Sequence, residues 1–165
     1  MTESTAASQI RTEEKYYPLL EGTPDALVIH CSSPKFQGAF HDFLRDELGV
    51  KTPAVISIPG SAGAFGVRAF LPKHWYALRN QIEILTRGYQ FKRVIVINHE
   101  DCKGYQSFAR WLGGLNKIPF LQKEHLRHIA NFLKSEYVPN ASIELYQANM
   151  VNRDGSRFAQ FERVL

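Results

Sequence analysis

The sequence predicts a doubly wound α/β domain with a mainly parallel sheet of four to five strands flanked by helices. Three observations predict it. Short apolar runs alternate with segments of helical periodicity along the whole chain. Val94-Ile95-Val96-Ile97 is continuously apolar and β-branched, as in a strand covered on both faces. Residues with metal-binding chemistry fall where predicted strands end, and sites collect at that edge in such sheets.

The elements follow in order. Residues 1–20 read as a polar N-terminal arm, in which Tyr16, Tyr17, Leu19 and Leu20 are suited to fastening it to something, such as a second subunit. Residues 21–165 read as one domain. Ala26-Leu27-Val28-Ile29-His30-Cys31 is a short buried strand. Ser33 before Pro34 is a helix start, serine as N-cap and proline at the first helical position. That helix carries Phe36, Phe40, Phe43, Leu44 and Leu48 on one face, and Gly49 ends it. Ala54 to Ile58 is the second strand, closed by Pro59-Gly60. A small-residue loop, Gly60-Ser61-Ala62-Gly63-Ala64, follows. It lacks the lysine and hydroxyl residue of a phosphate loop, so it reads as a place of close backbone packing. Trp75, Leu78, Ile82 and Leu85 recur at helical spacing up to Gly88. After the strand at Val94–Ile97, helical segments fall near 104–112 and 122–137. A fourth strand covers Ser142 to Ala148. Asp154-Gly155 is a turn leading to an edge strand from Arg157 onward.

Composition bounds the function. The chain has 165 residues, 44% hydrophobic and 22% charged, which suits one globular domain. No apolar run approaches the roughly 20 residues of a membrane-spanning helix. The first residues are polar and lack the apolar core of a secretory signal. The expectation is a cytoplasmic protein without membrane partners. The net charge of +4 comes from scattered basic residues, with a loose group at Arg87, Lys92 and Arg93. No aromatic and basic stripe accompanies them, so they read as a solvated face and not a nucleic-acid footprint.

The two cysteines are too few for a disulfide framework. Cys31 ends the first strand, His99 directly follows the third, and Cys102 lies three residues on. Zinc favours thiolate and imidazole in a tetrahedral shell. His99-x-x-Cys102 lets one turn offer two ligands, while Cys31 comes from a separate strand end. Spacing alone leaves a metal site and two buried, inert thiols equally open. The strand-end positions select the metal. Three protein ligands leave a fourth position, and zinc there lowers the pKa of a bound water to about 7.

The chain resembles the β-class carbonic anhydrases from about residue 25 to its C-terminus. The family pattern is Cys-x-Asp-x-Arg after the first strand, a loop with Ala-Gly after the second, and Gly-His-x-Asp-Cys-Gly after an apolar strand. Here these are Cys31-Ser32-Ser33-Pro34-Lys35, Ser61-Ala62-Gly63 and Asn98-His99-Glu100-Asp101-Cys102-Lys103-Gly104. The resemblance implies zinc held by Cys31, His99 and Cys102, a homodimer or higher homo-oligomer, and an arm that embraces the partner. It implies a small-molecule or small-anion substrate: carbon dioxide, or a related small electrophile such as its sulfur analogues.

The family's catalytic aspartate and arginine are replaced by Ser33 and Lys35. These two positions are the catalytic candidates by resemblance. By their own residue types they read as an N-cap and an exposed first-turn side chain. Asp101 matches a family position and is placed behind the ligands, bonding a ligand or the turn backbone. Glu100 is a second carboxylate in the same turn. His30 should point away from the metal, because side chains alternate along a strand. His41, His74, His125 and His128 fall on helices or their starts, with His125 and His128 read as solvent-exposed. Three functional readings remain: a carbonic-anhydrase-like zinc lyase, a non-catalytic binding protein that kept the zinc site, and a metal-free redox pair of Cys31 and Cys102.

Overall fold

The computed structural model describes Pro18, Leu19 and residues 21–165. Tyr16, Tyr17 and Leu20 of the expected arm therefore lie outside the described residues, and Leu19 is exposed.

Five strands form one sheet: β1 (Ala26–His30), β2 (Pro53–Ser57), β3 (Arg93–His99), β4 (Ser142–Arg153) and β5 (Ser156–Arg163). Their order is β2-β1-β3-β4-β5. The first four run parallel, and β5 returns antiparallel to β4. The hairpin at the edge follows from the sequence. Asp154 and Gly155 take φ of +50° and +77°, the backbone of a tight turn between twisted strands.

The helices are α1 (Gln37–Asp42), α2 (Gly63–Gly66), α3 (Pro72–Gly88), α4 (Lys103–Phe108) and α5 (Ile118–Glu136). Two separate cores result from strand alternation. Leu27, Ile29, Ile56, Val94, Val96 and Leu145 meet α2, α3 and α5 on one face. Val28, Ile95, Ile97 and Tyr146 meet Phe36, Phe40 and Leu44 on the other. Helices on both faces of a mostly parallel sheet are the doubly wound α/β arrangement. Proline stands in the first turn of both long helices, where its missing N–H costs nothing.

Five expectations need correction. Ser33 does not cap α1. Residues 34–36 form a turn closed by Phe36 N–H on the Ser33 carbonyl at 3.2 Å, and Phe36 stands at the cap. The helix after it is not uniform to Gly49, because Phe43–Glu47 is a π-turn in which Leu48 N–H reaches Phe43 O. That widening seats Leu44 in the core while Phe43 stacks on Phe161 at 3.9 Å. The helix near 104–112 stops at Phe108, and the last helix starts four residues early, at Ile118. β4 runs on to Arg153 because the hairpin gives it a partner beyond β3.

Arg93 is also not a solvated basic residue. Its guanidinium donates to both Glu144 oxygens, at 2.5 and 3.1 Å, and to Leu48 O, while the Tyr146 hydroxyl donates to Glu144. Arg93, then the Tyr146 bond, holds the Glu144 carboxyl below its ordinary 4.5. A carboxylate with a lowered folded pKa stabilises fully above the unfolded value, and that stability is lost as pH falls through the folded one. Glu144→Gln should therefore cost about 2 kcal/mol at neutral pH. It should also flatten the loss of melting temperature below about pH 4.5, read by thermal unfolding across pH.

Candidate metal centre

Cys31 follows β1, His99 ends β3, and Cys102 is the residue before α4. Because β1 and β3 are parallel neighbours, both strand ends open on one edge of the sheet. The chain turns back between His99 and Cys102 through Asp101, whose φ of +54° is a conformation that aspartate tolerates. One ligand atom from each of the three residues lies within 4.8 Å of the others. All three are buried, with exposures of 4%, 1% and 3%. Among the described residues no fourth His, Cys, Asp or Glu joins them.

The two sulfurs are 3.6 Å apart. Two thiolates bound tetrahedrally to one zinc at about 2.3 Å stand roughly 3.8 Å apart, so the spacing fits. His99 adds a second sign. Its Nδ1–H donates to Glu100 O at 2.6 Å, which leaves Nε2 as the bare acceptor. That Nε2 is buried without a hydrogen-bond partner, a costly state unless an ion takes its lone pair. The donor set, the spacing and the orphaned nitrogen fit a soft or borderline metal ion.

Main-chain amides prepare the sulfurs. Gly60 N–H donates to Cys31 Sγ at 3.4 Å. The Cys102 thiol above all, and the Gly60 N–H, favour the Cys31 thiolate and hold its pKa far below the ordinary thiol range. Cys102 is pushed up by its bond to Cys31 and by burial.

Glycines set this geometry. A Cβ on Gly104 would fall 2.6 Å from Gly60 Cα, inside the backbone of the β2–α2 loop. A Cβ on Gly63 would fall 2.9 Å from the Tyr105 ring. The small-residue loop is therefore the close backbone packing that its composition predicts.

The other candidate residues take varied places. His30 is buried, donates its Nδ1–H to its neighbour's carbonyl at 3.0 Å, and packs on Phe40; it is outside the cluster, as expected. Lys35 Nζ donates to Asp101 Oδ2 at 2.9 Å, and Gln106 donates to Asp101 Oδ1. Lys35 above all, then Gln106, holds the Asp101 carboxyl below its usual range. This ion pair ties the loop after Cys31 to the turn before Cys102. Ser33 is half-buried, and its carbonyl accepts from Phe36 N–H and Gln37 Nε2. Glu100 turns from the cluster to accept Met150 N–H at 2.7 Å. His128 is exposed, but His125 is not. Its ring fills the space left by Gly66 and meets the Tyr105 hydroxyl at 3.2 Å. Burial first, then His128 and Arg68, lowers its pKa to about 4.

Three residues behind the site escaped the sequence reading: Asn98, Tyr105 and Gln122. Asn98 Nδ2 donates to Tyr105 Oη at 3.1 Å and to Gln122 O at 2.9 Å. Gln122 Nε2 donates to His99 O at 2.8 Å. A signal existed for Gln122, a polar residue on the apolar stripe Ile118, Leu126, Ile129, Leu133. Beside them a cleft of about 550 Å³ reaches Cys102, lined also by Gln106, Leu115 and Ile118.

One solved structure similar to the chain is the β-carbonic anhydrase isoform I of the protozoan Trichomonas vaginalis. The identity is 16%, 87% of each chain is covered, and the TM-score is 0.32. No family model and no curated protein matches the chain.

The glycine contact gives a direct expectation. Gly104→Ala should destabilise by about 3 kcal/mol, the upper range for overpacking, because backbone and not a flexible side chain must yield. Gly88→Ala, with nothing within 4 Å, should cost far less. Denaturant unfolding of both variants measures this. Equal stability of the two would remove the packing argument.

Proposed function

We propose that the chain is a β-carbonic-anhydrase-like zinc protein. Cys31, His99 and Cys102 hold the ion, and the fourth position is left for water or substrate. The observation that carries this reading is the orphaned His99 Nε2 beside two sulfurs 3.6 Å apart. The motif resemblance described above supports the choice of zinc. When bound, zinc supplies a nucleophile from water near neutral pH, suited to carbon dioxide or a related small electrophile.

The chain's own residues supply the rest. The Gly60 N–H faces Cys31 Sγ, and His99 is held in the tautomer that leaves Nε2 free. Lys35 supplies a cation four residues after Cys31, but its partner is Asp101 and not a residue of its own loop. Ser33 stands at the family's aspartate position, and its role is to hold a water by donating or accepting. A dimer or higher homo-oligomer is the proposed assembly, and the cytoplasm the proposed compartment. No helix of the described residues is long and apolar enough to cross a membrane.

A second reading has a specific observation behind it. All three ligands are nearly inaccessible, and a serine replaces the family carboxylate. Those facts favour a zinc site that persists in a binding protein without turnover.

Zinc content and carbon dioxide hydration measured on one preparation test both readings. About one zinc per chain is expected. Cys31→Ser and His99→Ala should each lower zinc affinity by at least about tenfold. Hydration above the zinc-free control supports the lyase, and zinc without hydration supports the binding protein. A zinc-free protein that takes up no added zinc sinks both.

A further inference from the structure

We infer that Asn98 and Gln122 form a reciprocal clasp that positions His99, so that helix α5 sets the affinity of the metal centre. The inference rests on the zinc reading above, and it concerns residues that contribute no ligand atom.

The clasp consists of two crossed bonds. The Asn98 side chain donates to the main-chain carbonyl of Gln122 at 2.9 Å, and the Gln122 side chain donates to the main-chain carbonyl of His99 at 2.8 Å. Each residue thus gives a side-chain N–H to the other element's backbone. Asn98 and Gln122 are 1% and 3% exposed, so neither bond competes with water.

The bond to His99 O matters because of what shares that peptide plane. Its N–H belongs to Glu100 and donates to Ala148 O at 2.9 Å. The peptide is therefore gripped at both ends, by α5 on its oxygen and by β4 on its nitrogen. The next carbonyl, of Glu100, accepts the His99 Nδ1–H. A peptide fixed in this way fixes the imidazole plane, and with it the direction of the Nε2 lone pair. The same turn then carries the chain to Cys102. Gln122 is itself steadied, since Gln147 Nε2 donates to its Oε1 at 3.2 Å.

The sequence shows why a clasp is needed here. Asn98 stands where the resembling pattern has glycine, so this chain places a side chain behind the histidine and must give it a partner. Buried hydrogen bonds behind metal ligands typically govern affinity by 10- to 100-fold.

The test is Gln122→Met, which keeps length and removes the donor. Zinc affinity is read by competition with a chromophoric chelator, and the visible spectrum of the cobalt-loaded protein reports ligand geometry. The expected result is a loss of affinity of about tenfold or more with a shifted cobalt spectrum. Leu126→Ala, one turn further along α5 in the apolar core, is the comparison. It should lower the melting temperature of the metal-free protein at least as much, yet keep the affinity and the spectrum. Unchanged affinity and spectrum in Gln122→Met overturn the inference and leave the zinc reading intact. A wild-type protein that binds no zinc overturns both. A measurement on the unmodified protein stands apart from any variant's folding. Exchange of the Gln122 side-chain amide protons should slow when zinc is added, and unchanged exchange overturns the inference.

Discussion

The structure depends on two glycines that touch. Gly104 lies in the first turn of the helix that follows Cys102, and Gly60 lies in the loop after β2 and gives its N–H to Cys31. Their backbones approach so closely that a single methyl group would part them. Polar backbone is packed against polar backbone at the rim of the sheet, where water would otherwise enter. The contact brings amide dipoles to the sulfurs from two segments that are far apart in sequence. A buried thiolate needs such dipoles, because burial alone disfavours it.

Outward from that contact, the molecule separates stiff from adaptable parts. β1 and β3 are buried along nearly their whole length and deliver Cys31 and His99 from rigid neighbours. The turn between His99 and Cys102 has no such support of its own. It borrows it from α5 through Gln122, from α4 through Gln106, and from the loop after Cys31 through Lys35. The exposed ion pair contributes little energy. Its geometric effect is to join the loop after Cys31 to the turn between His99 and Cys102.

The fold was legible because strand and helix periods alternate cleanly and the strands of a covered parallel sheet read as continuous apolar runs. Ile95 and Val96 illustrate this, each buried on an opposite face. The gathering of Cys31, His99 and Cys102 was legible because strand ends converge in such sheets. The start of α1 was not. Ser33-Pro34 offers a perfect local start, but the chain first makes a turn so that Phe36 packs against His99 at 4.3 Å. Tertiary packing there overrides a local capping preference. The burial of His125 was hidden for a related reason: the space its ring occupies is created by Gly66, nearly sixty residues earlier, and no local pattern reports it. The hydrogen bonds that cross between Asn98–His99 and Gln122 join residues 24 and 23 apart, and only the assembled sheet and helix reveal them.

The long hairpin of β4 and β5 carries one more meaning. β3 pairs with β4 only as far as Ala148, whereas the β4–β5 ladder continues to Arg153 and Ser156. Beyond Ala148 the ribbon is two strands wide, and isolated two-stranded ribbons are marginal in water. Its tip is a sub-global opening unit, cheaper to unzip than the buried centre of the sheet. That unit is not isolated, because Met150 N–H is held by Glu100, next to His99. One hydrogen bond thus couples the edge ribbon to the segment between His99 and Cys102.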